Sequence, residues 1–341
     1  MQLTCGWLSI PVKCLDCLTV ACTYQAPTRK SVQTFKRETR MKKSIIAIAV
    51  SSAALASVSS YAAEGSTVDV YGNIQYAYTD NDAGSDFEDN GSTFGFKGET
   101  KIDQDLTAFF KYELEADADE KNGDVSVGID QAFVGLKGNF GKVQVGTFDS
   151  IYNNAIQDSV DQFENLEFSS NDTTTEGDTI AYFSPSFNGL EIQASAQVKG
   201  SDNTNDGTAV TLVGKYSVDA LTVALGYDSL ENDQADDENT IGLNVGYQVM
   251  PALNLSAKFE TTKDAEDRVG LAARYGYGAG DVYASAQVIS PDAGDEYNEF
   301  GAGVTYSLAS NVYVYGEVAS IEASSTADAD TQTAVGVYYG F

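Results

Sequence analysis

The sequence predicts an all-β fold, a 16-stranded antiparallel β-barrel that crosses a membrane, and three observations carry that prediction. Apolar and polar residues alternate through stretches of roughly ten residues, the length that crosses a bilayer at a tilt. The connections alternate between short turns and longer acidic loops. One connection, 149–176, is far longer than the others and has no strand alternation of its own.

In chain order, the first expectation concerns export. Met41-Lys42-Lys43 gives a positive start, Ile45 to Ala56 a short apolar run and Ser60-Tyr61-Ala62 a small-residue cleavage site, the pattern of a secretory signal peptide. We therefore expect 1–40 to be a misassigned upstream leader, 41–62 the signal peptide and 63–341 the transmembrane β-barrel. The apolar run is shorter than the about 20 residues of a membrane-spanning helix. All four cysteines and the single tryptophan fall before residue 41, so no disulfide is expected in the exported part, and Cys14 and Cys17 have no second pair downstream.

Eight of the 20 Lys and Arg and two of the 50 Asp and Glu precede residue 63. The remaining 279 residues thus carry 12 basic against 48 acidic side chains, a net charge of −36. That excludes nucleic acid as a partner, because phosphate binding needs a basic face. The many Tyr and Phe and the regular alternation argue against disorder.

The strands follow. Leu106 to Glu115 sets one face apolar and the other largely polar, as the period of two requires. Leu190 to Lys199 is apolar at Leu190, Ile192, Ala194, Ala196 and Val198 and polar between them. Leu221 to Asp228, Ile241 to Val249 and Leu253 to Glu260 repeat the pattern, and Thr333 to Phe341 puts Val335, Val337, Tyr339 and Phe341 on one side. Short turns are expected near Asp103 and at Asn139-Phe140-Gly141, Asn188-Gly189, Val218-Asp219, Met250-Pro251, Gly278-Ala279-Gly280 and Ala309-Ser310. Longer loops are expected at Asp80 to Asn90, Asp117 to Asp124, 149–176, Gly200 to Gly207, Ser229 to Glu238, Lys263 to Asp267, Ser290 to Glu296 and Glu322 to Asp330. Seven turns and eight loops join sixteen strands.

A soluble sandwich has little need for so many long strands with short connections at one edge and long ones at the other, and the internal repeat of a propeller is missing. A barrel in lipid accounts for both features: its apolar face meets the membrane, its polar face meets a lumen, and closure pairs the backbone groups. Tyr71, Tyr76, Tyr78, Tyr227, Tyr247, Tyr275, Tyr277, Tyr338, Tyr339 and Phe341, near strand ends, suit interfacial girdles.

Several fragments in this order resemble the trimeric general porins of Gram-negative bacterial outer membranes. They are Phe94-Gly95-Phe96-Lys97-Gly98-Glu99-Thr100 with Leu106-Thr107-Ala108, Phe133 to Gly141, Asp178 to Leu190 and the terminal Phe341. The resemblance implies a homotrimer in the cell outer membrane and a third loop folded into the lumen to set the pore size. Where the family commonly has arginines facing that loop, this chain has Thr93 and Thr147. Its only arginines after residue 62 are Arg268 and Arg274.

The long connection carries Asp149, Asp158, Asp161, Glu164, Glu167, Asp172 and Glu176 and no Lys or Arg. We expect Asp149, Asp158, Asp161, Glu164 and Glu167 to form a pore constriction, with Lys97 and Lys111 as the reduced basic wall. A short helical turn in the loop would send some of the acids to the wall.

Other chemistry finds little support. With no His in the chain, a Ser-His-Asp site is excluded, and no enzyme activity, cofactor or metal site is expected. Gly276 to Gly280 reads as a turn, since no helix follows it. Asp86 to Gly91 begins like a calcium loop, but Lys97 stands where the bidentate Glu belongs. The expected function is a diffusion porin forming a water-filled, cation-selective channel for small hydrophilic solutes and ions, with outer-membrane lipid and lipopolysaccharide as surroundings. The alternative is a barrel whose acidic loops act as an adhesin or receptor; an aqueous channel suits sixteen strands better, since an anchor needs only about eight.

Overall fold

The computed structural model describes residues 65–116, 119, 127–174, 176–198, 208–230 and 239–341. The expected leader and signal peptide lie outside the described residues. The strand segments are β1 (Ser66–Asn81), β2 (Gly84–Asp89), β3 (Thr93–Lys101), β4 (Leu106–Ala116), β5 (Val127–Gly138), β6 (Gly141–Thr147), β7 (Thr179–Phe183), β8 (Leu190–Val198) and β9 (Thr208–Val218). They continue as β10 (Leu221–Asp228), β11 (Thr240–Met250), β12 (Leu253–Thr262), β13 (Glu266–Gly276), β14 (Asp281–Pro291), β15 (Tyr297–Ala309), β16 (Val312–Ile321) and β17 (Asp330–Gly340). From β3 onward each pairs antiparallel with the next.

The sheet closes on itself. β1 pairs with β17 from Asn73↔Gly340 to Asp80↔Thr333, and Gly72 and Phe341 exchange backbone hydrogen bonds of 3.1 and 3.0 Å. Phe341 lies against Gly72, where a Cβ would come within 2.8 Å of its ring. β2 and β3 both pair with β1 and are two pieces of one wall strand, interrupted at 90–92. The seventeen segments therefore make sixteen barrel strands.

Alternation sorts the faces as the sequence reading expects. Leu271 and Val335 are 60% and 63% exposed, pointing outward where lipid replaces water, while their neighbours Ala272 and Ala334 are buried inside. Two girdle assignments need correction. Tyr71 and Tyr338 share the parity of Ala77 and Ala334 and face the lumen, because a shift of one residue along a strand exchanges its faces. Tyr338 stacks on Tyr313, with ring centroids 4.8 Å apart.

All seven short turns occur at one end of the barrel, at 102–105, 139–140, 184–189, 219–220, 251–252, 277–280 and 310–311. At the opposite end the loops expected at Asp117 to Asp124, Gly200 to Gly207 and Ser229 to Glu238 lie largely outside the described residues, and among the described residues there are two departures from expectation. Asp80 to Asn90 is largely strand, because β1 and β2 form a hairpin around 82–83, with Tyr76 stacked on Phe87 at 5.4 Å. The connection between β12 and β13 is only 263–265, made tight by Asp264 at φ 58°.

Candidate pore constriction

The connection between β6 and β7 leaves the rim and turns inward. Ser150 caps a one-turn helix, α1 (Ile151–Ala155), by accepting from the backbone N–H groups of Tyr152 (3.2 Å) and Asn153 (3.5 Å). A 3-10 turn follows at Gln157–Ser159. Glu176, at the far end of the loop, accepts from the Ser150 N–H at 3.2 Å and so draws the two ends together.

Tyr152, Ile156, Val160 and Phe163 form an apolar row along this segment, and the barrel wall holds glycines where they land. At Gly242 a Cβ would come within 2.3 Å of the Tyr152 hydroxyl and 2.5 Å of Ile156; at Gly270 it would meet Val160 at 2.9 Å. Gly226 and Gly301 receive Tyr152 and Phe163 in the same way. Tyr152, Ile156 and Val160 are essentially fully buried. Burial of each such side chain is worth about 1.5–3 kcal/mol, against about 0–1 kcal/mol for an exposed ion pair. The apolar row therefore sets where the loop sits.

Buried wall carboxylates do the rest. Glu317 accepts the backbone N–H groups of Glu164 (2.6 Å), Asn165 (3.1 Å) and Leu166 (3.1 Å), and the Tyr283 hydroxyl at 2.6 Å. Glu299 takes the Ser169 N–H at 3.1 Å, Asp228 takes the Thr174 N–H at 3.3 Å, and Glu260 takes the Gln157 amide at 2.9 Å. Asn90, at the break in the second wall strand, donates to the Glu164 carbonyl at 2.7 Å. The four carboxylates are buried charges that could not remain unpaired at such depth.

The acids of the loop fall into two groups. Glu164 is engaged: Arg274 lies 3.3 Å from it and Tyr313 donates to it at 2.6 Å. Asp158 lines a cavity of about 690 Å³ beneath the loop, with Asn154, Gln162, Asn244, Gln248 and Asn254. Surrounding protein, then the nearby Asp149, push its carboxyl above the usual range. Asp161 is pushed up to about 7, first by burial and then by Glu167, Asp158 and Glu317, against the opposing backbone N–H of Phe163. Glu167 is exposed, between the buried Leu166 and Phe168. Asp149, Asp158, Asp161 and Glu167 thus form a run in which neighbours feel each other's charge. Asp149 also accepts from Gln131 at 2.6 Å.

Lys97 and Lys111 are cross-strand partners on β3 and β4, with their ammonium groups 4.7 and 5.8 Å from the Tyr71 ring centroid. Lys111 pairs with Glu113 at 3.2 Å. Asp130 lies beside Glu113 on the neighbouring strand. Glu113 and Asp130 are not among the expected site residues, although the lumen parity of Glu113 is legible in the alternation of β4. Nor are the anchors, whose signal is a set of glycines at lumen positions facing apolar residues spaced four, four and three apart. Arg268 and Arg274, not among the expected site residues, touch the loop from behind through Ser169 and Glu164.

Comparison with known proteins agrees with this architecture. A family model described as Gram-negative porin matches residues 44–326. A Halomonas protein named "Monosaccharide porin" is 33% identical, covering 88% of this chain and 100% of its own length, and the "Major outer membrane protein" of Halomonas elongata matches to the same extent. Among solved structures, a Salmonella typhi OmpF complex with daunomycin superposes with a TM-score of 0.67 at 22% identity, covering 82% of this chain and 98% of that one. An anion-selective porin from Comamonas acidovorans gives 0.63 at 19%, covering 81% of this chain and 100% of its own. At these identities the two structures speak for the fold, which leaves the sign of selectivity to the residues.

Proposed function

Because this chain belongs to the Gram-negative porin family, and so is an outer-membrane channel rather than an enzyme, we propose that it is a cation-selective homotrimeric pore. The observation that carries the selectivity is the run Asp149, Asp158, Asp161 and Glu167 on a loop without a single Lys or Arg. At an effective dielectric constant of about 40, a cation about 5 Å from one carboxylate gains roughly 1.7 kcal/mol. That raises its local concentration more than about tenfold, and a Debye length of about 8 Å leaves an interaction at this range in place. Lys97 and Lys111 supply the smaller opposing field.

The solutes are small and hydrophilic. The name of the Halomonas relative supports monosaccharides as one class, and the amide-rich cavity under the loop suits neutral hydroxylated molecules. The hairpin around 82–83 with β1 and β17 makes the trimer contact in this reading, and lipopolysaccharide surrounds the loop end. The adhesin or receptor alternative is not favoured, since membership of the porin family accounts for the whole barrel.

The test replaces Asp149, Asp158, Asp161, Glu164 and Glu167 together with Asn or Gln and measures the reversal potential in a KCl gradient. The parent protein should prefer potassium and the variant should lose most of that preference. Anion preference in the parent, or an unchanged potential in the variant, would refute the assignment.

A further inference from the structure

The barrel lumen is not uniform in charge. Of the ten lysines after residue 62, four line one cavity of about 460 Å³: Lys97, Lys111, Lys137 and Lys142. The cavity runs from mid-height towards the end with the short turns, since Lys137 and Lys142 flank the 139–140 turn as register partners. Asp69 and Glu99 also line it. Glu99 pairs with Lys137, and Lys111 pairs with Glu113 just above. All four ammonium groups also approach ring faces: Lys97 and Lys111 lie 4.7 and 5.8 Å from Tyr71, Lys137 5.9 Å from Phe109 and Lys142 3.7 Å from Phe183.

Aromatic rings share this wall. Phe109 and Phe133 line the same cavity from the lumen face of β4 and β5, in edge-to-face contact at 6.2 Å, and both are only half-buried. Phe133 also packs edge-to-face on the buried Phe148 at 5.9 Å and Phe109 lies over Gly135, yet both rings keep exposed area at lumen positions, where a polar side chain would be better hydrated. Lysines beside half-exposed rings offer two contacts at once: charge-assisted hydrogen bonds for an anionic group and a flat apolar face for a ring. The cavity is within the volume range of pockets for small molecules.

We propose that this lysine and phenylalanine wall is a binding subsite for small ring-bearing carboxylates, of which a hexuronate sugar acid is one. It rests on the channel reading, and it goes beyond it, because the acidic loop would repel such solutes from the loop side. The subsite is therefore reached from the short-turn side, and binding is sided.

The experiment uses the full exported protein in planar bilayers, with sodium glucuronate as the probe and glucose and sodium acetate as its two halves. Glucuronate added on the short-turn side should interrupt the KCl current in a concentration-dependent way, at concentrations at least about fivefold below those needed for glucose or acetate, as two simultaneous contacts require. Phe109→Ser and Lys142→Gln should each weaken the glucuronate block roughly threefold or more by removing one of the two contacts. Equal block by acetate and glucuronate, equal block from both sides, or a block that survives both substitutions would overturn the subsite while the KCl conductance upholds the channel. Absence of KCl conductance would instead overturn the channel reading and the subsite with it.

Discussion

The two halves of the barrel wall use charged side chains for opposite ends. From β10 to β16 the lumen-facing charges Asp228, Glu260, Arg268, Glu299 and Glu317 are buried and bound, most of them to backbone or amide groups of the long loop. From β1 to β6 Lys97, Lys111, Lys137 and Lys142 border an open cavity together with Asp69 and Glu99, with Lys137 paired to Glu99 and Lys111 to Glu113. The first half mounts the loop, and the second leaves paired and ring-stacked lysines beside open space, so a charge on a pore wall bears on selectivity only as far as its partners leave it reachable.

The sharpest way to break this contrast is Glu317→Ala. It leaves three backbone N–H groups and the Tyr283 hydroxyl without their acceptor, at about 1–3 kcal/mol for each buried group. We expect the loop around 164–166 to detach, with noisy single-channel currents and new cleavage by a Glu-specific protease. Lys111→Ala in the other half should leave the loop uncut. Cleavage in neither variant would mean that Glu317 does not mount the loop.

A second substitution pair probes the apolar row. Gly242→Leu places a side chain where Tyr152 and Ile156 sit, and overpacking of this kind costs about 1–3 kcal/mol, so the loop should shift and the conductance change. Two turns of the alternation away, Gly246 has nothing within 4 Å of its Cβ position, and Gly246→Ala should leave the conductance as it is. Equal effects would remove the row as the cause of loop position.

A smaller effect is expected from pH. The Asp161 carboxyl, pushed up to about 7 by burial first and by its acidic neighbours, is neutral at pH 5 and charged at pH 9. Raising pH through that window adds a negative charge to the loop, so cation preference measured by reversal potential should rise. Asp161→Asn should flatten that rise, and an identical profile in the variant would assign the titration elsewhere.

The smallest change should come from Glu164→Gln. Its carboxylate already faces Arg274, and a partly exposed pair of this kind contributes about 0–1 kcal/mol, so both selectivity and stability should move little. A loss of cation preference as large as that of Asp158→Asn would show that Glu164 acts on the permeating ion after all.

What the sequence determined by itself was the barrel: strand number, closure by the last strand and the outward apolar face. Alternation is a local property with a period of two, legible at Leu190 to Val198 without knowledge of any other segment. Even there parity had to be followed residue by residue, as Tyr71 and Tyr338 show. The hairpin at 82–83 escaped because acidic residues at a strand end read as loop whether or not a partner strand continues beside them. Only the tertiary structure decided which acids of the long loop meet the lumen, because that loop has no period to follow. Glu164 and Asp158 look alike in sequence; they differ because Arg274, 110 positions away, and Tyr313, 149 away, close around the first and leave the second open to the lumen.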